Sequence, residues 1–261
     1  MAWLTAGVAL VALAADNGPN PGMVLVPAAQ FKMGSTGKAI DEDPAEAPIH
    51  DQSVAAFYLD VNEVTGAQYA AFLNATKQTK DATGHPLLGE GEYQPLVLAN
   101  GTWTPKPGWD KRPMVDVTWW GAQAFAAWAG KRLPTEAEWE LAARGTDGRK
   151  FPWGNTMDFS RFRLGADNME PVGSHPTGVS PSGCQDMSGN AWEWTSSLFA
   201  FYPYSATDGR EDPTATGFRS VRGGSWNIFG GSGGNIRIDT RYKLDPVYFG
   251  AYVGFRCALT K

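Results

Sequence analysis

The chain has 261 residues, 43% of them hydrophobic and 19% charged, which is enough apolar material for a sizeable core in one large domain or two small ones. A formal net charge of −5 and the lack of a basic run argue against nucleic-acid binding. The body of the chain has no internal repeat and no apolar run of about 18 residues, which excludes a helical membrane span there.

Residues 3–15, WLTAGVALVALAA, form a short apolar run that closes on Ala12-Leu13-Ala14, a site of the kind signal peptidase cleaves. The run lacks the usual preceding basic residues, so a plain N-terminal helix is the other reading. The expectation adopted is export to the periplasm or beyond, with 1–21 as signal peptide and flexible lead-in and 22–261 as a single domain. Met23–Ser35 alternates apolar and small residues and predicts an opening hairpin. A strand in AAFYLDVNEVT then runs into a helix capped by Thr65 and Gln68, with Tyr69, Phe72 and Leu73 as its buried stripe. Residues 76–112 lack a sustained period and read as a surface excursion with one small hairpin.

Thr118 opens the next helix, Gly130 stops it, and Trp120, Ala124 and Trp128 recur at helical spacing. Thr135 and Glu138 form a second capping box, Trp139 and Ala142 face inward, and Gly145 ends that helix. Beyond FPWGN the pattern is short strands and loops, closing on VGFRCAL as a final strand. Two or three helices on a small, irregular antiparallel sheet make an α+β domain, and 11 Trp with 31 Gly suit a loop-rich fold pinned by aromatics. Cys184 and Cys257 allow one intrachain disulfide or two buried thiols. His50, His85 and His175 share no metal-ligand spacing and read as separate turn or surface residues.

The runs MVLVPAAQFKMGS, DVNEVTGAQYAAFL, RPMVDVTWWGAQAFAAWAGKRLPTEAEWELAARG, FPWGN, DMSGNAWEWTSS, VRGGSWN and VGFRCA occur in this order from residue 23 onward. Together they resemble the formylglycine-generating-enzyme, or sulfatase-modifying-factor, family. The resemblance implies a C-type-lectin-like fold with few helices packed on small antiparallel sheets. It also implies a structural calcium on DMSGNAWEW, held by the Asp186 and Glu193 side chains and the Gly189 and Ala191 carbonyls, a hard-oxygen set suited to Ca²⁺. The same groups could instead only cap a turn. The family's second calcium site is not expected, because ADNMEPVGSHPTG lacks the aspartate-bearing insertion.

In the enzymes of that family, two cysteines three and eight places beyond the GGS serine bind Cu(I), for which soft thiolates are suited. Counted from Ser225, those places hold Ile228 and Gly233. No copper and no catalytic residue is therefore expected. The C-terminal segment offers Ser225, Trp226, Asn227, Phe229, Tyr242, Tyr248, Phe249 and Tyr252 among small polar residues, a paratope-like mixture. Some of these rings would be core in a domain with 12% aromatic residues. The first functional expectation is a monomeric binding module for a protein, peptide or small molecule, with retroelement-diversified variable proteins as a related form. The alternative is a non-copper oxidative maturation enzyme of the pyoverdine type. True formylglycine generation comes last, and the sulfoxide-synthase branch lacks its His-rich iron domain here.

Overall fold

The computed structural model describes residues 20–39, 42–165, 167–227 and 236–261, so the apolar run at 3–15 lies outside it. Eleven short strands and three α-helices follow one another along the described chain, α+β as expected. Met23–Val26 (β1) and Ala29–Met33 (β2) do not form the predicted hairpin. β1 pairs with Phe57–Asp60 (β4), and β2 pairs with His50–Val54 (β3). The connector Pro27-Ala28 explains the difference: a two-residue hairpin turn needs positive φ, which proline cannot adopt.

Gly66–Thr76 (α1) carries the predicted capping box: Gln68 N donates to Thr65 Oγ1 at 3.3 Å and Thr65 N donates to Gln68 Oε1 at 2.8 Å. Tyr69, Phe72 and Leu73 are buried as expected. Leu96–Ala99 (β5) and Thr102–Pro105 (β6) form the small hairpin of the surface excursion. Trp119–Trp128 (α2) starts on Thr118, but its buried face is Trp119, Ala122, Phe125 and Ala126. Trp120 and Ala124 flank that face, and Trp128 is 45% exposed. Glu136–Arg144 (α3) has the second capping box, and all nine of its residues are buried, charged ones included.

Trp192–Leu198 (β7), Arg219–Arg222 (β8) and Arg241–Leu244 (β9) form a sheet with Val253–Gly254 (β10), in the order β10-β7-β8-β9. The β10–β7 pair is parallel. The expected last strand is divided: after β10 the chain crosses at Phe255-Arg256-Cys257 and enters the sheet β1-β4-β11 as Ala258–Thr260 (β11). Arg256 fixes the crossing, its guanidinium donating to both Glu193 oxygens at 2.7 Å and to the Val61 and Gln185 carbonyls at 2.9 and 2.8 Å. One apolar cluster lies between α1, α2 and the four-stranded sheet, with Tyr69, Phe72, Trp119, Phe125, Trp194 and Phe255. A second lies under α3, with Phe31, Met33, Phe57, Leu59 and Trp139.

Between these clusters runs a buried ionic network. Arg222 reaches Glu136 at 2.9 Å and Glu140 at 2.5 Å, and Arg241 reaches Glu136 at 2.6 Å. Arg144 lies 3.4 Å from Glu140 and 3.3 Å from Asp239, while Arg237 pairs with Asp239 and, at 2.8 Å, with Glu46. Burial alone would raise the Glu136 carboxyl, but Arg241 and Arg222 outweigh it and hold the group at about 2. Arg222→Leu removes the cation shared by Glu136 and Glu140, leaving Glu136 with Arg241 and Glu140 with Arg144 at 3.4 Å, and should destabilise by about 3–5 kcal/mol in urea unfolding. A loss below about 1 kcal/mol would show that the network relaxes without its centre.

Candidate functional site

The run Met114–Val117 leads into α2 and is fully buried. It contains one ionisable residue, Asp116, held at φ 56°, a left-handed conformation that Asp and Asn tolerate better than most side chains. The backbone around it is tied on both sides: Asp116 N donates to Gly250 O at 3.1 Å, and Gly89 N donates to Asp116 O at 2.8 Å. Trp119 N donates to Pro246 O at 3.0 Å, so the loop between β9 and β10 straps over this run. Gly91 packs directly on the carboxylate; a Cβ there would stand 2.3–2.5 Å from its atoms. The carboxylate itself has no hydrogen bond or ion pair with any described residue, and its Oδ2 is buried. Burial pushes its carboxyl up to about 6, with Lys106 offsetting only part of the effect.

The strap carries the tyrosines. The Tyr248 and Tyr252 hydroxyls meet at 2.5 Å, and Tyr252 O accepts from Trp192 N at 2.8 Å. Trp192, at the start of β7, has its ring 6.2 Å from that of Tyr242 on β9. Burial, the Tyr252 hydroxyl and the charges of Tyr252, Asp116 and Tyr242 all raise the Tyr248 phenol, which places these groups in one electrostatic neighbourhood.

Of the eight residues expected at a ligand surface, Tyr242 and Phe249 are exposed, at 57% and 42%. Tyr248, Tyr252 and Asn227 are half-buried. Ser225 and Trp226 are interior, contrary to the expectation. Ser225 Oγ donates to Asn227 Oδ1 at 2.6 Å, and Trp226 Nε1 donates to Ala251 O at 3.0 Å. The Trp226 ring fills a cluster with Val115, Met169 and Ala191 and lies 5.0 Å from the Tyr93 ring. Its N–H and its faces are thus already used. Phe229, with Ile228 and Gly233, lies outside the described residues.

In the DMSGNAWEW motif, Glu193 Oε2 accepts from Arg256 Nε at 2.7 Å and from Trp139 Nε1 at 2.8 Å. Oε1 accepts one bond, from Arg256 Nη2, and keeps a free lone pair. Asp186 Oδ2 accepts from Gly173 N at 2.6 Å, and no described donor reaches the carbonyls of Gly189 or Ala191. Glu63 lies alongside, accepting from Asn190 Nδ2 at 2.7 Å and Ala191 N at 3.0 Å. Burial first, then the charges of Asp186 and Glu193, raise the Glu63 carboxyl well above the usual range. Acceptor capacity and excess negative charge both fit a hard cation. No cluster of three or more metal-binding His, Cys, Asp or Glu side chains occurs among the described residues, so such a cation would depend on the two carbonyls.

Cys184 and Cys257 are both free and buried. Burial pushes the Cys184 thiol up to about 11 and the Cys257 thiol well above its usual range. The histidines are engaged separately: His50 accepts from Tyr204 N, His85 stacks on Trp120 beside Asp81, and His175 contacts Glu170. No described helix is long and apolar enough to cross a membrane. Sequence reasoning missed Asp116 as a site residue; the available signal was a carboxylate interrupting the apolar run MVDV.

The family model for the sulfatase-modifying factor enzyme 1-like domain matches residues 9–261. The chain is 32% identical to the formylglycine-generating enzyme of Streptomyces coelicolor, covering 95% of this chain and 94% of that one. It is 31% identical to the inactive C-alpha-formylglycine-generating enzyme 2 of Mus musculus, covering 92% and 86%. It is 33% identical to serine/threonine-protein kinase Pkn1 of Chlamydia trachomatis over 90% of this chain, but spans only 38% of that protein's length. Among solved structures, PvdO from Pseudomonas aeruginosa superposes with a TM-score of 0.68 at 25% identity, covering 92% of this chain and 94% of that one. Treponema denticola variable protein 1 shares the fold, with a TM-score of 0.63 at 21% identity over 92% and 95% of the two chains.

The raised Asp116 carboxyl makes a signed prediction. In the folded protein it holds its proton up to about 6, whereas in the unfolded chain it ionises near the ordinary value of about 4. Ionisation therefore opposes folding, and the penalty grows between those values and is complete above the higher one. Asp116→Asn, which keeps the left-handed backbone, should raise the melting temperature at pH 7.5 and lose most of that advantage at pH 4. A variant less stable than wild type at pH 7.5 would mean that the carboxylate has a stabilising partner.

Proposed function

Because the chain belongs to the sulfatase-modifying factor enzyme 1-like domain family, we propose that it uses the family scaffold as a ligand-binding module without copper–cysteine chemistry. One observation carries this reading. The chain has two cysteines, both interior, with burial holding both thiols protonated. The positions three and eight beyond Ser225 are Ile228 and Gly233, which have no group for a soft metal or a mixed disulfide. The similarity to a mammalian relative named as inactive is in keeping with this.

The binding surface is formed by Tyr242, Tyr248, Phe249 and Tyr252 over Asp116. Amphipathic rings of this type offer large contact area at low entropic cost. Trp226 supports the surface from inside through its bond to Ala251. A structural Ca²⁺ on Asp186, Glu193 and the Gly189 and Ala191 carbonyls would offset the charge gathered beside Glu63, and export by the segment at 3–15 would place the module outside the cytoplasm. The similarity to PvdO favours a second reading, non-copper oxidative maturation of a small molecule at the same surface.

Purified protein should bind no stoichiometric Cu(I), and a Cys-containing sulfatase peptide should emerge without formylglycine by mass spectrometry. Detection of formylglycine would overturn the proposal. Peptides selected from a phage-displayed random library should bind at least about tenfold more weakly to Tyr242→Ala, Phe249→Ala and Tyr252→Ala variants whose melts are unchanged. Selected peptides that bind all three variants as well as wild type would remove the surface from the reading.

Calcium is tested separately. EDTA should lower the melting temperature and millimolar Ca²⁺ restore it, and Asp186→Ala should blunt the response. A melt indifferent to chelation would reduce the motif to a capped turn tied to Arg256.

A further inference from the structure

Ten carboxylates are buried among the described residues, and Asp116 is the one without a partner. Glu46, Glu136, Glu140, Glu193 and Asp239 face arginines, Glu138 pairs with Arg132, and Asp60 pairs with Lys131. Glu63 and Asp186 accept backbone or amide N–H groups. A buried polar atom without a hydrogen bond is rare enough to need an explanation, and an unpaired buried carboxylate opposes folding. Lys106 does not supply the missing charge by contact: its Nζ donates to Glu92 O at 2.7 Å and lies 5.1 Å from the centre of the Trp109 ring.

We propose that Asp116, with Tyr242, Tyr248 and Tyr252, forms a subsite for a primary ammonium group, such as a lysine side chain or a free amine. This specifies the ligand of the binding surface proposed above and rests on that reading. A carboxylate without a donor needs an N–H from its ligand, which an ammonium supplies as a charge-assisted hydrogen bond. The strap is tied to Asp116 through the Gly250 carbonyl and carries Tyr248 and Tyr252 on either side of that residue; their rings favour a cation over a neutral donor, because aromatic faces attract positive charge. Gly91 crowds the carboxylate from one side. A compact ammonium needs only one acceptor direction, whereas a planar guanidinium seeks both oxygens in one open plane. The chain's net charge of −5 adds a long-range attraction of the same sign. The destabilising carboxylate is then kept because the ligand completes it.

The test is calorimetric titration of the full chain with N-acetyl-lysine methylamide, its neutral isostere N-acetyl-norleucine methylamide and N-acetyl-arginine methylamide. The lysine compound should bind at least about tenfold more tightly than norleucine, with the preference weakening as salt is added. Asp116→Asn should retain its fold and bind the two equally. Equal binding to wild type, no binding of either compound, or a lysine preference that survives in Asp116→Asn would each overturn the subsite. Tighter binding of the arginine compound would overturn the assignment to ammonium. Library-selected peptides that depend on Tyr242 and Phe249 but carry no basic residue would leave the module standing and refute the subsite alone.

Discussion

The structure depends on Glu136. Its carboxylate lies at the first turn of α3, fully buried, where it accepts from Arg222, from Arg241 and from Ser220 Oγ at 2.7 Å. Its own N–H donates to Ser197 Oγ at 2.8 Å. One residue thereby ties α3 to three consecutive strands, β7, β8 and β9. Such a group can remain ionised in the interior only if its partners are fixed in number and direction. Glu140, one turn later, repeats the arrangement by accepting from Arg222 and, at 2.8 Å, from Gly34 N. The opening strands are thus held by the same helix that holds the closing ones.

This pairing gives charge in the interior a consistent meaning. Where a buried carboxylate meets an arginine, it holds two distant parts of the chain together: Glu46 and Arg237, for example, are 191 positions apart. Where carboxylates gather with less cationic compensation, as at Glu63, Asp186 and Glu193 around Arg256, the Glu63 and Asp186 carboxyls are raised and a hard cation becomes chemically reasonable. Where a carboxylate has no partner, as at Asp116, neither packing nor folding accounts for it. The three environments differ in charge balance rather than in burial.

The sequence revealed local structure well and long-range pairing poorly. Thr65 with Gln68 and Thr135 with Glu138 marked helix starts because a capping box is complete within four residues. The pairing of β1 and β2 was not legible, because alternation identifies a strand but not its neighbour. On α2, Trp120, Ala124 and Trp128 shared a period with the true face and lay one position to its side, since a row of aromatics on a helix surrounded by loops does not say which side is covered. On α3 only Trp139 and Ala142 were legible as inward, because nothing local announces that Arg222 and Arg241, 82 to 105 residues later, will close over its carboxylates. Composition grouped Trp226 with the ligand-surface residues and could not say which of those rings are core, while its indole N–H had an acceptor in the strap at Ala251. Asp116 was the visible exception that was overlooked, an acidic residue breaking an apolar run.

The same network also flanks the segment 228–235. The segment 228–235 is preceded by Arg222 and by Gly223, whose φ of 98° suits glycine and whose missing Cβ would come 3.2 Å from the Trp139 ring. It is followed by Arg237, Asp239 and Arg241, all buried and paired. The described residues on both flanks are therefore fixed by charges in the interior. Ile228 and Gly233 carry no charge and can be no member of that network. The charges that fix this part of the core thus belong to the flanks, and a fold held in this way does not by itself dictate a chemistry.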